Sequence, residues 1–362
     1  MSTHWIDRPT TVRAGEALNT EQLGAYLHRQ QPDLNGPIVI TQFPRGFSNL
    51  TYLIQAGGRE LVLRRPPFGA EIKTAHDMGR EYKILSHLYQ VYPKIPRPVL
   101  YCSDETVIGA PFYLMERVVG VILRPTMPQA MIPDPTLMRR IANSFIDNLV
   151  ELHTADYQAA GLGDLGRPAG YVTRQINGWI KRYEQARTDD IPELERIAAW
   201  LPDNILPESG AAMIHNDYRY DNLILNPNDW TQIMAVLDWE MATLGDPLMD
   251  LGTTLGYWVE VDDPPEMQRI LQFSPTMLPG NPGREELVAR YARQSGREIS
   301  DIVFYYVYGL FKLAVIIQQI YRRYKLGLTQ DPRFAQLDQV VWMCGRIARQ
   351  AIEKKRLDRL FE

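Results

Sequence analysis

At 362 residues, 45% hydrophobic and 23% charged, the chain has the composition of a globular protein able to bury a sizeable core, which excludes a disordered or low-complexity chain. A formal net charge of −4 argues against a nucleic-acid partner, because binding a phosphate backbone needs a concentrated basic face. The start, MSTHWIDRPTT, has no apolar leader, the most apolar later run (307–317) is short for a bilayer and interrupted by Lys312, and two cysteines, Cys102 and Cys344, are too few for a disulfide framework, so the expectation is a cytoplasmic protein with no membrane span and two buried thiols.

In chain order, residues 20–31 place Leu23, Tyr26 and Leu27 at helical spacing, and the segment from Pro32 to Pro37 breaks the helix, so 1–37 reads as an N-terminal extension with a leading helix. Three β-like runs follow at 38–43, 50–55 and 60–64. The joint AGGR is a hairpin turn. The joint RGFSN is a candidate phosphate loop, since a tight loop between strands can present backbone N–H groups and the Ser48 and Asn49 side chains to an anion. With Gly46 as its one glycine it reads, by itself, as an ordinary hairpin ahead of a phosphate loop, and its value as the latter comes from Arg64. Arg64 and Arg65 end the third run, either as phosphate-binding cations or as exposed strand-end charges. Residues 75–89 form a helix that sets Glu81 among Met78, Ile84, Leu85 and Leu88, while Glu71 falls in a Gly- and Pro-containing approach that reads as loop. The segment IPRPVLYCSD and the run 111–115 supply two further strands and complete a five-stranded sheet.

Beyond residue 118 the pattern is mainly helical. Residues 135–153 carry Ile141, Phe145, Leu149 and Leu152 at helical spacing, and 171–187 carry Ile176, Trp179 and Tyr183. His153, near a helix C-terminus, reads as structural. Further helices are expected near 251–259, 284–294, 300–324 and 333–360.

Between them lies the stretch with most chemistry, MIHNDYRYDNLILNPNDWTQIMAVLDWEMATLGDPLMDLG, from Met213 to Gly252. It reads as strand, polar loop, strand, with a third apolar run at 233–237 ending on Asp238. A hairpin would bring Asp217, Asn222 and Asp238 to one edge. Phosphoryl transfer needs a carboxylate to take the hydroxyl proton, hard oxygen ligands for magnesium and cations on the phosphates. Asp217 fits the base, Asn222 and Asp238 the metal ligands, and Arg219 a planar fork for the transferring phosphate. His215 reads as structural because Asp217 already fills the base position. Asp246, before Pro247, is a natural helix N-cap.

HNDYRYDN followed by LDWEMATLGDP resembles the catalytic loop and metal-binding segment of the aminoglycoside phosphotransferase and choline kinase family. The nearest likeness is to the kinase-like domain fused to some acyl-CoA dehydrogenases, and to relatives acting on hydroxyacyl-CoA compounds. The resemblance runs from about Gln42 to the C-terminus. It implies an α+β, protein-kinase-like two-lobe fold, with an antiparallel sheet plus helix over 38–117 and a mainly helical lobe over 118–362. It also implies ATP and Mg²⁺ as cofactors. Arg64 then stands where the family usually carries a lysine on the α and β phosphates, with Glu81 as its ion-pair partner. In MERVVG, which resembles the hinge, backbone groups of Glu116 and Val118 would meet the adenine edge and Met115 would line the pocket. Asp250 matches a position that supports the loop from below. Arginine at position 64 leaves two readings, an active kinase and a nucleotide-binding pseudokinase.

The acceptor is expected to be a small molecule bearing a hydroxyl. A polycationic aminoglycoside would suit the carboxylates Glu260, Asp262, Asp263 and Glu266, whereas a coenzyme A thioester brings phosphate charges and needs cations. Residues 301–362 hold eleven Lys or Arg against six Asp or Glu. Arg322, Arg323 and Lys325, with Arg346 and Arg349 and the interleaved Tyr321 and Tyr324, form a candidate anion surface; a solvated basic face is the competing reading. Together with the resemblance this favours a hydroxyacyl-CoA.

Overall fold

In the computed structural model, which describes residues 7–44, 49–69 and 77–362, the apolar runs of the first third pair into one antiparallel sheet. Its strands are β1 (Val39–Gln42), β2 (Leu50–Ala56), β3 (Arg59–Arg65), β4 (Pro98–Cys102) and β5 (Phe112–Glu116), in the order β1-β2-β3-β5-β4. Register between β2 and β3 is set by the turn: Gly57 and Gly58 both have positive φ (55° and 74°), and a two-residue hairpin of this hand follows the right-handed strand twist. Tyr52, Ile54, Leu61, Leu63, Phe112 and Leu114 form the core, closed by Leu23 and Leu27 of α1 (Thr20–Gln30). Helix α2 (Met78–Leu88) is started by Asp77, whose carboxylate accepts from Arg80 N, and packs against β4 and β5.

The chain divides into two compact units. The first comprises Met1–Ile122, Asp156–Leu162 and Leu223–Glu240, so it contains this sheet together with the hairpin of β7 (Leu223–Asn226) and β8 (Asp229–Val236). Val121 exchanges both backbone hydrogen bonds with Leu225, at 2.9 and 2.8 Å. Gly120 is obligatory beside this bridge, because a Cβ there would overlap the Leu225 carbonyl.

The second unit comprises Leu123–Ala155, Gly163–Asn222 and Met241–Glu362. Its helices are α3 (Pro135–Thr154), α4 (Tyr171–Ala186), α5 (Pro192–Asp203), α6 (Pro247–Gly256), α7 (Pro265–Ile270), α8 (Arg284–Ser295), α9 (Ile302–Lys325) and α10 (Leu337–Lys354). Three differences from expectation stand out. Strand β6 (Ala212–Ile214) pairs with the three-residue β9 (Thr243–Gly245), so it is not part of the β7–β8 hairpin. Helices α5 and α7 and strand β9 were not expected. The apolar run at 307–317, short for a bilayer by itself, is the centre of α9, which keeps the length expected at 300–324 and is as a whole long and apolar enough to cross a bilayer, yet most of that surface is buried inside this unit, as in a core helix. Cys102 and Cys344 are both buried free thiols, as expected.

Helices α6 and α9 cross at two glycines. A Cβ on Gly309 would overlap the Gly252 carbonyl, and one on Gly252 the Tyr305 carbonyl. Overpacking a close-packed core typically costs about 1–3 kcal/mol, so Gly309→Ala should lower the melting temperature clearly in a thermal denaturation scan. A wild-type melting curve would mean that the crossing is looser than described.

Candidate active site

In the second unit the site grows out of one buried carboxylate. Asp250, on the first turns of α6, accepts from the backbone N–H groups of His215 and Asn216 (2.7 Å each) and faces His153 Nε2 at 3.1 Å. His153 Nδ1 lies 2.7 Å from the Tyr291 hydroxyl. Burial alone would raise the Asp250 carboxyl; the hydrogen bond and charge of His153, with His215, outweigh it and hold the group below the usual carboxylate range. His153, His215 and Asp250 therefore all have the structural roles expected of them. Asp246 caps α6 by accepting from Leu248 N.

The loop fixed in this way bears Asp217. Asn222 Nδ2 donates to the Asp217 carbonyl (2.8 Å) and to its Oδ2 (3.0 Å). Arg219 Nε is 3.4 Å from Asp217 Oδ2, its other arm is 3.5 Å from Asp221, and its guanidinium lies 5.3 Å from the centre of the Tyr257 ring. Asp217, Arg219 and Asn222 are thus brought together, with Arg219 already shared between two carboxylates. Asp221 and Tyr257 were not singled out from the sequence. Burial raises the Asp221 carboxyl, opposed by Arg219 and reinforced by Asp217, while burial and then Asp217 hold the Tyr257 hydroxyl well above its usual range. The alternating D-Y-R-Y-D was the available signal for Asp221.

In the first unit a second cluster forms around Arg64. Its guanidinium is 3.0 Å from Asp238 Oδ1, 3.5 Å from Glu81 Oε1 and 3.7 Å from Glu240. Glu81 also accepts from the Tyr113 hydroxyl at 2.7 Å, and Glu240 accepts from Asn49 Nδ2 at 2.8 Å. The Arg64–Glu81 pair is present as expected. Burial pushes Glu81 upward, opposed chiefly by Arg64. Arg64 and Arg65 are not exposed strand-end charges: both are buried, and Arg65 donates to the Pro66 and Ile108 carbonyls while stacking on Phe68. Gly46, Ser48 and Glu71 lie outside the described residues; Asn49 binds Glu240. Met115 is buried in the sheet, and Val118 packs with Ile122, Ile224 and Ala235. The Glu116 N–H already donates to the Arg97 carbonyl (2.8 Å), which removes it as a donor to an adenine edge.

The acceptor candidates also change. Asp263 is buried and forms a two-pronged ion pair with the fully buried Arg284 (2.7 and 2.8 Å), Glu260 lies 3.3 Å from the same arginine, and Glu266 pairs with Arg346 at 3.1 Å. Asp263 and Glu260 are therefore turned inward onto Arg284, while Asp262 and Glu266 stay exposed. Arg349 pairs with Glu353, and Tyr321 is buried with Lys325 5.6 Å from its ring centre, so the exposed cations on the last turn of α9 are Arg322, Arg323 and Lys325.

Among the described residues no group of three or more His, Cys, Asp or Glu forms a metal cluster. The donor chemistry still suits magnesium, which uses one or two carboxylates and completes its shell with water and phosphate. In the second unit Asn222 has its nitrogen engaged on Asp217, which leaves its side-chain oxygen for a cation, and in the first unit the Asp238 carboxylate is held by Arg64.

A sequence profile described as the phosphotransferase enzyme family matches residues 39–287. Acyl-CoA dehydrogenase family member 11 of Gallus gallus is 37% identical over 328 residues, which cover 87% of this chain and 41% of that protein. The chain therefore spans about two fifths of the length of this curated relative. Among solved structures, one from Ralstonia eutropha JMP134, assigned as an aminoglycoside phosphotransferase, has a TM-score of 0.76 at 30% identity and covers 92% of this chain and 99% of that one. Spectinomycin phosphotransferase, solved with ADP and spectinomycin, has a TM-score of 0.56 at 12% identity, covering 89% and 93%, a likeness of fold alone.

Leaving buried donors without their ionised acceptor costs about 1–3 kcal/mol. Asp250→Asn should approach that loss, measured by denaturant unfolding near neutral pH. Because its folded-state pKa is depressed, the carboxylate's contribution is fully present above its unfolded pKa and is lost as pH falls through the folded one. The gap between wild type and Asp250→Asn should therefore close in acid; a pH-independent gap would contradict the ionised carboxylate.

Proposed function

The chain belongs to the phosphotransferase enzyme family, and on that premise we propose that it transfers the γ-phosphoryl group of ATP, with Mg²⁺, to the hydroxyl of a hydroxyacyl-CoA or related hydroxy acid. It is a small-molecule kinase acting on a hydroxyl acceptor. The observation that supports this reading most is the Asp217 carboxylate held by Asn222 at 3.0 Å on a clamped loop, a base fixed beside a candidate metal ligand.

Asp217 orients the acceptor hydroxyl and takes its proton as the oxygen forms its bond to the γ-phosphorus and ADP leaves. Arg219, held at 3.4 Å from Asp217, offsets charge on the transferring group once phosphate competes for it. Asn222 of the second unit and Asp238 of the first would each offer an oxygen to Mg²⁺, which when bound would neutralise developing phosphate charge. Arg64, anchored by Glu81 and Asp238, takes the place of the phosphate-binding lysine, with a delocalised fork where a compact ammonium is usual. The same Arg64–Asp238 contact favours the second reading, a protein that binds nucleotide without turning it over.

For the acceptor, the inward-turned Asp263 and Glu260 weigh against a polycation, while the exposed Arg322, Arg323 and Lys325 suit the phosphates of coenzyme A. The relationship to an acyl-CoA dehydrogenase family protein points the same way.

ATP-dependent phosphorylation assayed against a hydroxyacyl-CoA, its free acid and an aminoglycoside should favour the thioester. Preference for the aminoglycoside would overturn the acceptor, and nucleotide binding without transfer to any hydroxyl would establish the pseudokinase. Asp217→Asn should lower kcat by about 10²-fold or more with ATP affinity little changed. Asp238→Ala should weaken Mg²⁺-dependent nucleotide binding together with turnover. Replacing both Arg322 and Arg323 by Ala should lower kcat/KM for the thioester at low salt and flatten its decline as salt rises; retention of full efficiency would remove the basic site from the assignment.

A further inference from the structure

Lys312 interrupts the apolar centre of α9. Its neighbours Phe311, Leu313 and Tyr308 are buried, and it is itself 1% exposed. An ammonium there is costly unless it is well hydrogen-bonded. Its Nζ donates to the Asn216 carbonyl at 2.7 Å and to the Asn216 side-chain oxygen at 3.2 Å, and lies 5.9 Å from the centre of the Trp179 ring.

Asn216 is the residue before Asp217, and its φ of 66° places it in the left-handed region, which a non-glycine residue keeps only when its surroundings enforce it. Every polar group of Asn216 is engaged. The N–H donates to Asp250, the amide nitrogen donates to the Met241 carbonyl (3.1 Å) and the Tyr171 hydroxyl (3.3 Å), and both oxygens accept from Lys312. Asp250 thus fixes the donor side of this residue and Lys312 the acceptor side.

We propose that Lys312 is a positioning residue for phosphoryl transfer: by gripping the Asn216 carbonyl and side chain it locks the left-handed backbone that aims Asp217. This rests on the reading of Asp217 as the base. Removing the amine leaves the buried Asn216 carbonyl without its donor and its side-chain oxygen with only the Tyr171 hydroxyl at 3.4 Å, and frees Asn216 to relax toward ordinary backbone angles, which swings the next residue. Burial pushes the Lys312 ammonium down to about 8, against the pull of Asp250 and Asp217 and with the push of Arg182.

Lys312→Met keeps the length and apolar stem but deletes the donors. Steady-state kinetics should show kcat reduced by about 10²-fold, the scale of a misplacement near 1 Å, with KM for ATP little changed. Hydrogen–deuterium exchange should show faster exchange confined to the peptide spanning residues 213–222. Lys312→Gln, which returns a shorter amide donor, should recover part of both, and it serves in place of the methionine variant if that one does not fold. Wild-type kcat and wild-type protection of 213–222 in either variant would overturn the proposal, as would a loss confined to melting temperature. A loosened loop in a protein whose wild type transfers no phosphate would retain the clamp and overturn the catalytic reading of Asp217.

Discussion

A carboxylate with no access to water must be met by donors, and the second unit is arranged around satisfying one of them. Asp250 takes two consecutive backbone N–H groups and an imidazole, which ties α6 to the loop after β6 and to the end of α3 in a single contact. The glycine crossing serves the same arrangement. Because Gly252 and Gly309 let α6 and α9 touch backbone to backbone, Lys312, one turn beyond Gly309, comes close enough to grip Asn216 from the opposite side to Asp250. Packing without side chains at one level of the helix pair permits a polar clamp at the next.

The first unit solves an equivalent problem with the opposite charge. Arg64 is buried in a sheet, and three carboxylates from two stretches of the chain, Glu81 from α2 and Asp238 and Glu240 just after the hairpin, offset it. Tyr113 completes the set by donating to Glu81. Glu81 is the most constrained of these: its burial is tolerable because the cation and the phenol both meet one oxygen.

Much of this was legible in the sequence. The five strands, the two-glycine turn, the Asp246 helix cap and the grouping of Asp217, Arg219 and Asn222 follow from periodicity, turn chemistry and spacing. The Arg64–Glu81 pair came from resemblance and holds. What escaped depends on partners distant along the chain. Strand β9 is three residues long and exists through its pairing with β6. Asp263 looked like part of an open acidic loop because its partner, Arg284, lies 21 residues later with no local pattern joining them. Lys312 read as a break in an apolar run, since its purpose is set by a residue 96 positions away. Helix α5 was the avoidable omission, for Leu194, Ile197 and Leu201 carry an ordinary helical stripe.

Arginine at position 64 has a chemical consequence apart from catalysis. A guanidinium stays protonated and is a poor nucleophile, whereas a lysine in an electropositive phosphate site is readily acylated. Reactive nucleotide esters that mark kinases by acylating that lysine find no amine on β3 of this chain, with Arg64 and Arg65 closing the strand. That β3 position is closed to such reagents however well the protein binds nucleotide, and reagents directed at guanidinium groups, the α-dicarbonyls among them, are the matching choice there.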